Sequence, residues 1–311
     1  MRCLIVDELH PSIKQGLTNL DIDFSYRPKI TRDEIKKILG EFDGLIIRSK
    51  TKVDSDLISR AALLKFVARA GAGVDHIDTD LLHKKGIEII NAPEGNMDSV
   101  AEHSVGLILN LLNNITSASR EVEHLTWKRE ANRGEELTGM TVGIIGYGNM
   151  GSALAQRLST FGCRTIAYDK YKKGFGNHLC GEVSMNEIFI ESDILSLHIP
   201  LTDETDGMCD NHFFESFKKN IILINTSRGE IVPLTTLDHA LSSGKIRKAG
   251  LDVLEFEKFK NCSPKQIELI KKIVSRLNVI VTPHIAGWTY NSYRKINETL
   301  IKKIKQFVEK D

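Results

Sequence analysis

The chain has 311 residues, of which 41% are hydrophobic and 27% charged, a composition typical of a soluble globular protein of about two domains. Lys and Arg total 42 and Asp and Glu total 41, so charge gives no reason to expect nucleic acid or an anionic membrane as a partner. The N-terminal apolar run CLIV is too short for a signal peptide, and no run reaches the ~18 apolar residues of a membrane span. We therefore expect a cytoplasmic protein.

The cysteines are scattered along the chain without a pairing pattern. There are five of them, and neither CxxC nor a mixed Cys/His ligand spacing occurs. We expect reduced thiols, with no disulfide framework and no metal site.

The first third alternates short apolar runs with helical patterns, which predicts an α/β fold with a mostly parallel sheet. The expected strands are CLIV, GLIIRS, KFVARA and IEII. The expected helices are PSIKQGLTNL and TRDEIKKILGEF, the second with Thr31 as N-cap and Glu34 completing a capping box.

The pattern changes after NAPEGN. Asp98 or Ser99 begins an amphipathic stretch, SVAEHSVGLILNLLNNITSASREVEHL, which predicts one long helix. It exceeds the usual ~11 to 12 residues of a helix, so we expect it to bridge domains or form a subunit contact.

A second α/β series follows, and it completes a doubly wound sheet. Its six expected strands are TVGIIGYG, RTIAYD, DILSLHIP, NIILINTS, IRKAGLDV and NVIVTPHI. The Lys-rich stretch KYKKGFGNH is expected to be a solvated loop, and the chain ends in one amphipathic helix.

The turn after the first of these strands carries a dinucleotide-binding signature, GYGNMG. Gly146 permits a tight turn, Gly148 lets the backbone approach a pyrophosphate, and Gly151 allows close contact between helix and strand. Asp169 ends the next strand 18 residues after Gly151, where it would accept hydrogen bonds from the adenosine ribose and favour NAD over NADP. Three lysines follow that aspartate and leave the discrimination against NADP open: Lys170, Lys172 and Lys173.

Charged residues follow three later strands of the second series. Arg228 follows IILINTS, Asp252, Glu255 and Glu257 follow the strand ending at Leu251, and His284 follows NVIVTP. Ligands of open α/β sheets bind at such carboxyl ends, so we expect a base for a hydroxyl proton and a cation for a carboxylate there.

Together these strings resemble the D-2-hydroxyacid dehydrogenase family over essentially the whole chain, and within that family the short-form phosphoglycerate dehydrogenases. The resemblance is carried by IIRSKTKVD, ARAGAGVDHID, NAPEGNMDSVAEHSVGLIL, GIIGYGNMG, LHIPLTDET, INTSRGEIV, AGLDVLEFE and TPHIAG. It implies two domains, each a parallel sheet flanked by helices. Residues 1–96 and 288–311 would form a discontinuous, flavodoxin-like substrate domain, and residues 97–287 a Rossmann NAD-binding domain.

The resemblance also implies a catalytic set. His284 would be the acid/base, Glu257 would orient its imidazole, and Arg228 would clamp the substrate carboxylate. Lys258 stands where the family has proline and the following segment is longer, so Glu255 is an alternative partner for the histidine.

Further residues are implied for cofactor and substrate. Cofactor contacts are expected from Gly146, Gly148, Asn149, Met150, Gly151, Asp169, His198, Pro200 and Asp252, the last holding the nicotinamide carboxamide. Substrate contacts are expected from the Ala72 and Gly73 N–H groups and from Arg48, Arg69 and Arg129, which match phosphate-binding positions. In the family the third arginine comes from the neighbouring subunit. Alternatively, Arg48 and Arg69 only end strands or pair with carboxylates.

The expected activity is hydride transfer between NAD and C2 of a D-2-hydroxy acid, with 3-phosphoglycerate, a step of serine biosynthesis, as the favoured substrate. A glyoxylate or hydroxypyruvate reductase, or another small D-2-hydroxyacid dehydrogenase, is the alternative enzyme. A dinucleotide-sensing corepressor that binds partner proteins is the alternative of another class. We expect a homodimer or higher homo-oligomer, a small-molecule substrate, and neither nucleic acid nor membrane as a partner.

Overall fold

The computed structural model describes residues 1–310. They fold as two compact units, Met1–Met97 together with the segment from Trp288 onward, and Asp98–Gly287. The predicted division placed the first boundary one residue earlier, and the assignment of the first unit to substrate binding stays a prediction. No helix among residues 1–310 is both long and apolar enough to cross a membrane.

The described part of the chain forms strands and α-helices that mostly alternate. The strands are β1 (Arg2–Ile5), β2 (Asp23–Tyr26), β3 (Gly44–Ile47), β4 (Phe66–Arg69), β5 (Glu88–Asn91), β6 (Thr141–Ile145), β7 (Arg164–Tyr168), β8 (Gly181–Glu182), β9 (Ile194–Leu197), β10 (Ile221–Asn225), β11 (Ile246–Leu251) and β12 (Val279–Val281). The helices are α1 (Ser12–Asn19), α2 (Arg32–Ile38), α3 (Thr79–Lys84), α4 (Met97–Leu112), α5 (Ile115–Glu123), α6 (Asn149–Leu158), α7 (Met185–Glu191), α8 (Asn211–Glu215), α9 (Leu234–Ser242), α10 (Pro264–Val274) and α11 (Tyr290–Val308).

The first unit is built on a parallel five-stranded sheet in the order β2-β1-β3-β4-β5. This is the strand order of flavodoxin-like folds. Buried aliphatic side chains cover both faces, and α11 contributes Ile296, Leu300 and Ile304 to one of them. The sequence did not indicate β2, because this edge strand is only partly buried and lacks an apolar run.

The second unit is built on a parallel seven-stranded sheet in the order β12-β11-β10-β9-β6-β7-β8. All six predicted strands are present, and the two-residue edge strand β8 joins them. The order of the strands reverses between β6 and β9, which are hydrogen-bonded neighbours. Ligands of doubly wound sheets bind at the carboxyl ends of the strands beside such a reversal.

The single long helix predicted after NAPEGN is wrong. The stretch forms two helices, α4 and α5, separated at Asn114, whose φ of 54° is left-handed. The Asn110 side chain fixes the break, since it accepts from the Thr116 N–H at 2.9 Å and donates to the Thr116 hydroxyl at 2.8 Å. Asparagine tolerates the left-handed conformation, so the Asn113-Asn114 pair ends a helix that apolar spacing alone would continue.

Candidate active site

The glycines of the signature turn after β6 meet different demands. Gly146 has φ +93°, and an added Cβ would lie 2.5 Å from the His198 carbonyl oxygen; at Gly151 it would lie 2.1 Å from the Gly146 carbonyl oxygen. An added Cβ at Gly148 would meet no atom of the chain within 4 Å. The chain itself therefore requires glycine at 146 and 151, whereas the bare backbone at 148 leaves space for an external group.

The N-terminus of α6 fits a dinucleotide pyrophosphate. Gly148 is the N-cap residue, and no side chain caps the helix, which begins with Asn149 and Met150. Gly148 and Asn149 are exposed. Because the first N–H groups of a helix lack intrahelical acceptors and carry partial positive charge, this end can hold an anion.

The Asp169 carboxylate lies at the end of β7. It accepts from the backbone N–H groups of Tyr147 at 2.8 Å and of Tyr171 and Lys172 at 2.9 Å each. Partial burial would raise the pKa of Asp169, but these N–H groups together lower it, so the group is an anion at neutral pH. A carboxylate offers about four acceptor positions, so it retains capacity for a ribose hydroxyl.

The three lysines after Asp169 are bound to other groups of the same unit. Lys170 Nζ donates to Glu204 at 2.7 Å, Lys172 Nζ to the Tyr147 carbonyl at 3.3 Å, and Lys173 Nζ to the Asp169 carbonyl at 3.0 Å. The predicted solvated loop is correct for these lysines but wrong at Phe175, which is buried and stacks on Tyr147 at 4.5 Å between ring centroids.

His198 and Pro200 follow β9 on the other side of the strand reversal. The His198 Nε2 lies 2.8 Å from the Ser196 hydroxyl oxygen, and burial lowers the pKa of His198 to about 4. The imidazole is therefore neutral at physiological pH. Pro200 is exposed. The contact of both with adenosine stays a prediction.

His284 and Glu257 form a pair in the second unit. His284 Nδ1 lies 2.9 and 3.0 Å from the two Glu257 carboxylate oxygens. A carboxylate can only accept, so Nδ1 carries the proton and Nε2 remains to exchange one with a substrate. The hydrogen bond that His284 donates to Glu257 raises the pKa of His284 against the opposing effects of burial and of the Arg228 charge.

Glu255, the alternative partner, is engaged elsewhere, since its carboxylate accepts from the Leu234 N–H at 2.8 Å. Arg228 follows β10 and its Nη1 donates to the Ser227 carbonyl at 2.6 Å. The Asn225 side chain donates to the Arg228 carbonyl at 2.9 Å and fixes the backbone there. The arginine is close enough to His284 for its charge to act on the imidazole.

Asp252 is buried and holds the turn that carries His284. Its carboxylate accepts from the Thr282 hydroxyl at 2.5 Å, from the Ile285 N–H at 2.9 Å and from the Ala286 N–H at 2.7 Å. His103 Nε2, on α4, lies 3.0 Å from the same hydroxyl. The sequence analysis predicted Asp252 as a contact of the nicotinamide but did not single out His103 or Thr282. These two residues lie within the quoted strings NAPEGNMDSVAEHSVGLIL and NVIVTPHI.

The predicted substrate residues of the first unit lie at the carboxyl ends of β3 and β4. The Arg48 backbone N–H donates to Asp7, and its guanidinium lies over the Trp288 ring at 3.9 Å from the centroid. Arg69 packs against Gly71, where an added Cβ would lie 1.6 Å from Arg69 Nη1.

The loop after Gly71 presents backbone donors. The Asn91 side chain donates to the Ala72 carbonyl at 2.7 Å and anchors the loop. Within residues 1–310 neither the Ala72 nor the Gly73 N–H donates to another group of the chain. Two neighbouring N–H groups of this kind suit a carboxylate. Arg129, in the second unit, is exposed in the turn that follows α5.

Comparisons with known proteins show which family the chain is similar to. The family model described as "D-isomer specific 2-hydroxyacid dehydrogenase, NAD binding domain" matches residues 105–286. A hydroxypyruvate reductase of Thermotoga maritima is 38% identical over 276 residues, which is 88% of either chain. A D-3-phosphoglycerate dehydrogenase of Bacillus subtilis is 37% identical over 273 residues, 87% of this chain but only 50% of the relative.

A solved structure extends the likeness to the whole described chain. The D-lactate dehydrogenase from Aquifex aeolicus, in complex with NAD and lactic acid, has a TM-score of 0.84 at 30% identity, covering 100% of this chain and 96% of that one. The chain thus matches two relatives over most of their length, while it spans about half the length of the curated D-3-phosphoglycerate dehydrogenases.

Proposed function

Because this chain belongs to the D-isomer specific 2-hydroxyacid dehydrogenases, NAD-dependent oxidoreductases, we propose that its substrate pair is 3-phosphoglycerate and 3-phosphohydroxypyruvate. When bound, NAD would accept a hydride from C2 of the hydroxy acid, and NADH would donate one to C2 in the reverse reaction. Side chains of this protein would transfer the proton and bind the substrate.

The hydrogen-bonded pair of His284 and Glu257 supports His284 as the residue that transfers the proton. In the oxidative direction neutral Nε2 takes the 2-hydroxyl proton, and Glu257 stabilises the imidazolium through the Nδ1 hydrogen bond. In the reductive direction the imidazolium returns that proton to the oxygen. Arg228 binds the carboxylate of the substrate and polarises its C2 carbonyl, because guanidinium offers a planar fork of donors.

The environment of Arg48 is the observation that supports a phosphorylated substrate. Arg48 is partly buried, and within residues 1–310 no carboxylate pairs with its guanidinium. A partly buried cation without an anionic partner is unfavourable unless a ligand supplies the charge. Because no carboxylate of residues 1–310 pairs with Arg48, the alternative that Arg48 forms an internal ion pair loses support. Arg69, at the end of the neighbouring strand, would add a second donor group for the phosphate.

A hydroxypyruvate reductase is the second candidate. Its support is the length of the match, since the chain covers 88% of the Thermotoga maritima reductase but about half of the phosphoglycerate dehydrogenases. The two substrates share the carboxylate and the C2 carbonyl and differ only at the distal group, so Arg48 should distinguish them.

The test is NADH oxidation across 3-phosphohydroxypyruvate, hydroxypyruvate, glyoxylate, pyruvate and a branched 2-oxo acid. We expect the largest kcat/KM with 3-phosphohydroxypyruvate, and Arg48→Gln should raise its KM about 10-fold or more, as loss of a charge-assisted contact does. The KM for hydroxypyruvate should not change. A higher kcat/KM for hydroxypyruvate that is insensitive to Arg48→Gln would favour the reductase, and no turnover of any substrate would favour the corepressor-like protein.

A homodimer through the second unit also belongs to the proposal. Large apolar side chains on α5 and the turn after it are exposed, with exposed fractions of 49% at Val122, 96% at Leu125 and 83% at Trp127. Large exposed apolar side chains that lie close together in the chain favour an interaction surface. Arg129 lies two residues beyond Trp127, and we propose that it acts at the site of the partner that covers this surface.

A further inference from the structure

We propose that Trp288 is a positioning residue for Arg48, whose guanidinium it holds in readiness for the distal anionic group of the substrate. The proposal rests on the function proposed above for Arg48. Trp288 belongs to the same compact unit and directly precedes the N-cap of α11. None of the family strings used above contains this tryptophan.

A chain of ring contacts holds the arginine in place. The Arg48 Cζ lies 3.9 Å from the Trp288 ring centroid and 5.8 Å from that of Tyr293. The Trp288 and Tyr293 rings meet edge to face at 4.9 Å, and Tyr293 meets the His10 ring in the same manner at 5.6 Å. The guanidinium therefore rests on an aromatic support that is itself held by two further rings.

The backbone is fixed on both sides of this contact. Arg48 directly follows β3, and its backbone N–H donates to the buried Asp7 carboxylate. On the other side, the Thr289 hydroxyl accepts from the Ser292 N–H at 3.0 Å, and the Thr289 N–H donates to the Ser292 hydroxyl at 2.9 Å. This capping box sets the backbone next to Trp288 before α11 begins.

The stacking has a consequence for anion binding. A guanidinium over an aromatic ring is attracted to the ring and keeps its N–H donors at its edges, where a phosphate binds. An arginine already confined to one rotamer loses less conformational entropy when its ligand arrives. Since 46% of Trp288 remains exposed, burial in a hydrophobic core does not account for this side chain.

A kinetic comparison tests the role. Trp288→Ala should raise KM for 3-phosphohydroxypyruvate about 3- to 10-fold, the range of a cation–π contact, with kcat and KM for hydroxypyruvate unchanged. Trp288→Phe, which keeps a ring face, should recover most of the loss. Tyr290→Ala is the matched control, because Tyr290 is 99% exposed and lies only two residues away.

The outcomes separate this inference from the function on which it rests. If Arg48→Gln raises KM for the phosphorylated substrate and Trp288→Ala does not, Trp288 has no positioning role. If Arg48→Gln itself leaves that KM unchanged, the phosphate role of Arg48 is wrong. In an Arg48→Gln background, Trp288→Ala should add nothing, and an additional rise of equal size would contradict the proposed coupling.

A binding measurement provides a readout without turnover. The chain has two tryptophans, Trp127 and Trp288, so Trp127→Phe leaves the proposed reporter as the sole indole. Titration with 3-phosphoglycerate should change its emission with a saturating dependence, and Arg48→Gln should abolish the change. Emission that stays constant up to concentrations that saturate the kinetics, or that changes equally in the Arg48→Gln protein, would remove Trp288 from the anion site.

Discussion

His284, the proposed acid/base, has a strained backbone conformation. Its φ of 55° lies in the left-handed region, which a residue with a Cβ adopts at a cost of about 1 to 3 kcal/mol. The backbone N–H donates to the Asp252 and Thr282 carbonyl oxygens at 2.8 and 3.0 Å, and these bonds hold the conformation. Strained residues of this kind cluster at functional sites, so the conformation supports the role that the sequence only suggested.

The pH dependence of turnover should follow the raised pKa of His284. Reduction requires the imidazolium, so reductive kcat/KM should fall as the pH rises through this pKa, and oxidative kcat/KM should rise over the same interval. Glu257→Gln replaces the anionic acceptor of the Nδ1–H by a neutral one, which stabilises the imidazolium less, so both transitions should move to lower pH. Profiles of kcat/KM against pH in both directions measure the shift, and unmoved transitions would exclude Glu257 as the partner.

The glycines of the signature turn should respond differently to alanine. Gly148→Ala should leave the unfolding temperature nearly unchanged and weaken NADH binding, because the new Cβ meets no atom of the chain. Gly151→Ala should destabilise the protein itself, since its Cβ would lie 2.1 Å from the Gly146 carbonyl oxygen. Thermal unfolding and NADH fluorescence titration separate the two. If the Gly148→Ala protein binds NADH as tightly as the unchanged protein, the pyrophosphate does not bind at Gly148.

At the scale of elements, β11, β12 and α4 together position the turn from 282 to 286. Asp252 follows β11, Thr282 follows β12 and His103 lies on α4, and these three side chains form one hydrogen-bonded group. Sequence periodicity predicted β11 and β12, and it predicted α4 only as part of a longer helix. Only their packing brings a helix residue beside a carboxylate 149 positions later in the chain.

Asp252→Asn should disturb this turn. An amide has a single oxygen to accept from the Ile285 and Ala286 N–H groups and the Thr282 hydroxyl, and a buried unsatisfied donor costs about 1 to 3 kcal/mol. We expect the unfolding temperature to fall by several degrees, about 2 to 4 °C per kcal/mol, and kcat to fall more than KM rises. Circular dichroism melting and steady-state kinetics check both, with Glu255→Gln as the control on the neighbouring loop.

At the scale of the whole molecule, the second unit exposes three large apolar side chains shortly before Arg129, at Val122, Leu125 and Trp127. The proposed homodimer would cover α5, with Arg129 acting in trans. The sequence indicated a subunit contact because the helical stretch was long. That reason was wrong, since the stretch is two helices, and the exposed Leu125 and Trp127 now carry the expectation.

Mixed dimers test the contribution of Arg129. Arg129→Gln and His284→Asn proteins should each be impaired alone, with asparagine chosen because it tolerates the left-handed conformation of His284. Coexpressed, the Arg129→Gln chain keeps its own histidine and receives Arg129 from its partner, so activity with 3-phosphohydroxypyruvate should partly return. Activity no higher than the sum of the two parents, in a sample that is dimeric by light scattering, would mean that Arg129 does not act across the interface.

The sequence by itself determined the two α/β series, the glycine signature and the residue types at the strand ends, because periodicity and glycine signatures are local properties. It missed β2 and β8, which are edge strands with little apolar character, and the break at Asn114, where a side-chain hydrogen bond overrides helical spacing. Only the tertiary structure decided between Glu257 and Glu255 as the residue beside His284, and revealed the support of Arg48 by Trp288. These pairings join residues from separate parts of the chain, and their distances depend on how the elements pack.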